Sequence, residues 1–114
     1  MKIISLADLP SEGVSHNPEI RKQVLLRRGD VPHLTNLSQA RLAPGQSVRS
    51  HTHADLYEIF NVLSGTGTTT IDGLEHRIET GDCLLVEPGE AHTISNRGST
   101  DLVLLYFAVE ELNQ

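Results

Sequence analysis

Three histidines and one carboxylate stand in this chain at spacings that can converge on a single divalent metal ion. The stretch from Gly45 to Glu58 (GQSVRSHTHADLYE) supplies His51, His53 and Glu58, and His92 follows further on. His51 and His53 are two apart, and side chains two apart on a strand share a face. Glu58 is five positions beyond His53, an odd offset that would point it away if the strand ran straight. The chain therefore has to bend at Ala54, Asp55 and Leu56 and return Glu58 on a neighbouring strand. His92 comes after Glu87, Pro88, Gly89 and Glu90, a turn signal, and so enters from a third strand. Neutral imidazole suits zinc, copper, iron and nickel, and a carboxylate brings in manganese. One divalent ion per chain (Fe, Mn, Zn, Ni or Cu) is the expected cofactor.

The elements that must position these groups read as short strands separated by turn chemistry. Lys2 to Leu6 is a brief apolar stretch, and Ser11 to Glu19 reads as an irregular loop. Strands are predicted over Gln23 to Arg28, Leu37 to Leu42, Ser47 to His53, Glu58 to Leu63 and Thr68 to Ile71. Further strands are expected at Leu74 to Ile78, Cys83 to Val86, Ala91 to Asn96 and Leu102 to Val109. Asp72 and Gly73 form a hairpin dipeptide, because a two-residue turn needs positive φ. The Ser47 to His53 and Glu58 to Leu63 strands are expected to be adjacent. Alternation then puts Phe60 and Val62 on the face of Glu58, with Ile59, Asn61 and Leu63 opposite. It likewise groups Ile94 with His92, and Arg49 with His51. The cavity so formed is mainly apolar, with Arg49 either anchoring an anionic group or resting at the rim in water. Evenly spaced short strands with Gly and Pro punctuation point to an all-β sandwich or barrel of antiparallel strands.

These residues resemble the two motifs of the cupin superfamily. Its first motif, Gly, five residues, His-x-His, three or four residues, Glu, six residues and Gly, is met by Gly45, His51, His53, Glu58 and Gly65. The second is met by Gly81, Gly89, His92 and Asn96, with Glu87 where a proline is expected. The resemblance implies a single-domain jelly-roll barrel with His51, His53, Glu58 and His92 as the metal ligands. It implies dioxygenase, isomerase or lyase chemistry without naming a substrate, because this superfold hosts many unrelated reactions. The domain is expected to span residues 1–114, with 1–22 as an N-terminal strand and loop arm and 37–109 as barrel core.

Composition narrows the partners. The 114 residues carry a net charge of −6, which opposes nucleic acid and anionic membranes. One cysteine, Cys83, cannot close an internal disulfide, no apolar run approaches a membrane span, and the start is a poor secretory signal. A cytoplasmic protein acting on a small molecule is expected. Two classes stay open: a metalloenzyme working on a small oxygen-rich metabolite, and a non-catalytic module that binds a small molecule or a metal. The apolar run from Leu102 to Phe107 needs cover on both faces, and with Ile59 and Leu63 it predicts a homodimer. Lys2 to Leu6 is a candidate to cover a partner's edge. His16, His33 and His76 read as surface histidines, Cys83 as a small buried packing residue, and Glu87 as an exposed turn residue. Tyr57 and Asp55 lie in the bend, where a turn role and a substrate contact are equally open.

Overall fold

The computed structural model describes residues 1–15, 17–49 and 52–111, so His16 and His51 lie outside the described residues. After a single 3-10 turn (Leu6–Asp8), the strands are β1 (Glu12–Val14), β2 (Asn17–Arg27), β3 (Leu34–Leu42), β4 (Ser47–Arg49) and β5 (Leu56–Ser64). They continue as β6 (Thr66–Ile71), β7 (Leu74–Glu79), β8 (Cys83–Val86), β9 (His92–Ser95) and β10 (Leu102–Glu110). Two antiparallel sheets result, one ordered β1-β2-β3-β10-β5-β8 and the other β4-β9-β6-β7. The protein is the all-β barrel expected, with the core between the sheets.

Alternation sets the two faces of the larger sheet. Ser38, Ala40 and Leu42 on β3, Phe60 and Val62 on β5, and Leu102, Leu104 and Ala108 on β10 are buried inward. At the hairpin, Asp72 and Gly73 take φ of 48° and 82°, the left-handed conformation their turn requires. Buried Asn96 ties the far end together: its amide donates to the carbonyls of Leu42 (2.9 Å) and Thr100 (2.8 Å).

Three sequence expectations change. Residues 47–49 and 56–64 are not neighbouring strands: β4 pairs with β9 in the smaller sheet, whereas β5 lies in the larger one between β10 and β8. Spacing fixes which face a residue takes, not which sheet its strand joins. The Ser11 to Glu19 stretch contains β1 and the start of β2, paired through Glu12 with Lys22 and Gly13 with Arg21. Cys83 is exposed rather than buried, because on β8 the inward positions are Leu84 and Val86.

The outward face of the larger sheet carries an apolar ladder. Cross-strand partners link Leu26 to Leu37, Leu37 to Phe107, Phe107 to Ile59, and Ile59 to Leu85. The N-terminal segment lies against the β2 end of this face, where the Gln23 amide donates to the carbonyls of Leu6 and Leu9. Leu85 at the other end is 53% exposed.

Candidate metal centre

A cavity of about 310 Å³ opens between the sheets, and His53, Glu58 and His92 all line it. Each reaches it by a different local device. His92 is the first residue of β9 and is 3% exposed. The preceding residue is fixed by the hairpin: Ala91 N–H donates to the Asp72 carboxylate (3.3 Å), and Asp72 N–H to the Ala91 carbonyl (3.0 Å). His53 lies after β4, where its carbonyl accepts from Gly89 N–H (2.8 Å), joining its segment to the turn that delivers His92. Glu58 faces inward from β5, opposite Ala108 of β10 and Val86 of β8. The bend before β5 is fastened by Glu111 N–H donating to the Asp55 carbonyl (2.7 Å).

Burial and the charge of His53 both act on the other two groups. Burial pushes the Glu58 carboxyl above its ordinary value, and the nearby His53 charge opposes that rise. Burial pulls His92 below the ordinary histidine value; the Glu90 carboxylate opposes this, and His53 adds to it. His53 is thus close enough to act on both. Behind them, Phe60 tilts against the His92 ring at 5.5 Å between centroids and stacks on Tyr106 at 5.6 Å.

Two imidazoles and a carboxylate lining one cavity are the donor chemistry of a divalent-metal site. Among the described residues no group of three His, Cys, Asp or Glu stands close enough to hold an ion. His51, the remaining donor, lies outside the described residues.

The other expected residues sort cleanly. Phe60, Val62 and Ile94 are buried on the inner faces as alternation implies. Arg49 only borders the cavity and is exposed, since its β-partner is Thr93, while Val48 pairs with inward Ile94. His33 and His76 are exposed. Glu87 is an exposed turn residue, but its N–H donates to the Glu90 carboxylate (2.7 Å), so this turn uses a donor that proline lacks. The sequence reading missed the polar band on β3, where Ser38 Oγ donates to Asn36 Oδ1 (2.8 Å) and the Asn36 amide to Thr35 Oγ1 (3.1 Å). It also missed Lys22, half-buried on the inner face of β2 between Ile20 and Val24. The apolar-charged-apolar alternation of those three residues was the available signal.

A double-stranded barrel with this donor set defines a cupin. The cupin domain family matches residues 38–108, more than half of the chain, and the chain belongs to that family. It is 38% identical over 68 residues to an oxalate-binding protein of Thermotoga maritima, covering 60% of this chain and 56% of that protein. It is 35% identical over 63 residues to the tetracenomycin polyketide synthase protein TcmJ of Streptomyces glaucescens, covering 55% and 42% respectively. The chain thus spans about half the length of these curated relatives. Among solved structures, a predicted oxalate decarboxylase of Thermotoga maritima superposes with a TM-score of 0.89 at 27% identity, covering 96% of this chain and 99% of that one.

Proposed function

We propose that this cupin holds one divalent ion (Fe, Mn, Zn, Ni or Cu) through His51, His53, Glu58 and His92, and acts on a small oxygen-rich metabolite. The observation that carries this reading is that His53, Glu58 and His92 line one cavity, with His53 acting electrostatically on the other two. A bound ion would supply Lewis acidity toward a chelated oxygen, or a site for dioxygen, as a dioxygenase, isomerase or lyase requires. The chain's own contribution is to shape a largely apolar wall from residues such as Phe60, Ile94 and Leu104, which restricts water around the reacting groups. Residues 1–114 act as one domain, residues 37–109 supplying most of its barrel and β2 adding Ile20 to the core, and the single cysteine supports a cytoplasmic setting.

A binding module without turnover is the second reading, favoured by the relative named for binding oxalate. Elemental analysis of untagged protein tests the metal directly: about one ion per chain is expected, and the joint His51→Ala and His53→Ala variant should lose it. Retention of the wild-type metal ratio by that variant would reject the assignment. Turnover of a carboxylate or enediol panel by the metal-loaded protein separates enzyme from binder.

A further inference from the structure

The cavity continues outward into a wider vestibule of about 570 Å³, which shares Thr35, Asn36, His53 and Tyr106 with it. The chain is acidic overall, yet this vestibule is lined by Lys22, Arg27 and Arg28. Two of these cations are already neutralised: Arg27 pairs with Glu12, and Arg28 with Glu110. Lys22 has no ion pair among the described residues. Its position is unusual for a lysine. Ile20 and Val24, two residues to either side, are 0% and 7% exposed, and its cross-strand neighbours are buried Ala40 on β3 and, on β1, Glu12, whose carboxylate is taken by Arg27. Lys22 is partly buried on the inner face of β2, and its ammonium can make a charge-assisted contact with an anionic oxygen in the vestibule. Thr35 and Asn36, which line both spaces, add hydrogen-bonding groups where the two meet.

We propose that Lys22 is the anchor of an anion subsite at the outer end of the cavity. The ligand is then a small metabolite with two oxygen-rich ends. One end goes to His53, Glu58 and His92, which rests on the function proposed above; the other is a carboxylate or phosphate held by Lys22.

Chelator-treated full-length protein titrated with inorganic phosphate and with acetate, followed by backbone amide NMR shifts, tests the subsite without any metal. Saturable shifts at Lys22 and Asn36 are expected. Lys22→Gln should weaken binding roughly tenfold, as loss of a charge-assisted contact implies, and Lys22→Arg should largely keep it. The tighter of the two anions identifies the terminal group. Equal affinity in Lys22→Gln, or shifts confined to other surfaces, overturns the proposal. With manganese added, glutarate and 3-phosphonopropionate should bind tighter than the one-ended anions, an advantage that Lys22→Gln removes. If Lys22-dependent phosphate binding persists but manganese brings no such gain, the subsite stands and the metal end of the ligand is refuted.

Discussion

Glu58 and His92 respond to the same burial in opposite directions, and in each the uncharged form gains. For His92, whose folded value is depressed, the stability of the metal-free chain is present above the unfolded histidine value and is lost as pH falls below it. For Glu58, whose folded value is raised, stability is present below the unfolded carboxyl value and is lost as pH rises through the folded one. At neutral pH the metal-free barrel therefore carries a carboxylate it would be more stable without. Glu58→Gln should raise the chemical-denaturation midpoint of chelator-treated protein at pH 7. The same variant should lose more than about 100-fold in metal affinity, since groups merely supporting a ligand already cost 10–100-fold. A variant that neither gains stability nor loses metal would show that Glu58 is a wall residue. That His53, Glu58 and His92 line one cavity was legible in the sequence, because their spacing and residue types are local features of the chain. Lys22 was not, because its importance depends on which face β2 turns inward, and the predicted strand began one residue later. Arg49 takes the rim position, one of the two open to it, because β4 is three residues long and turns Val48 inward.

At the level of elements, turns carry the positional information. Gly65 lies between β5 and β6 with φ of 88°, and an added Cβ there would stand 2.3 Å from the Asp101 carbonyl oxygen. Gly73 also has positive φ, but nothing lies within 4 Å of the added atom. Gly73→Ala should thus cost only the conformational penalty, about 1–2 kcal/mol, and Gly65→Ala distinctly more, as urea melts would measure. The turn before His92 gives a second prediction. From the sequence alone, Glu87→Pro would be expected to leave stability equal or slightly raised. The Glu87 N–H bond to Glu90 reverses that expectation: the variant should lose about 1 kcal/mol, and an unchanged melting curve would contradict it. Strand existence was legible nearly throughout, because Gly, Pro and Asp-Gly punctuation is local. The β4–β9 pairing was not, because sheet membership is decided by contacts between residues some fifty positions apart.

The whole molecule presents one face that one copy leaves partly open. The ladder from Leu26 to Leu85 crosses five strands, and the N-terminal segment lies against its β2 end. A homodimer sealed across Phe107, Ile59 and Leu85 is the expected assembly. Light scattering should give twice the monomer mass at micromolar concentration, and Leu85→Lys should return it to the monomer while the fold persists. A monomeric wild type would end this reading. The aromatic row behind His92 gives the molecule a further property. The chain has no Trp and only two tyrosines, and Tyr106 stacks on the Phe60 ring that touches His92. With Tyr57→Phe as background, all tyrosine emission would come from one phenol beside the cavity. A paramagnetic ion such as copper(II) held at His92 should dim that emission, and a chelator should restore it. The protein thus carries its own optical gauge of occupancy, with no dye attached.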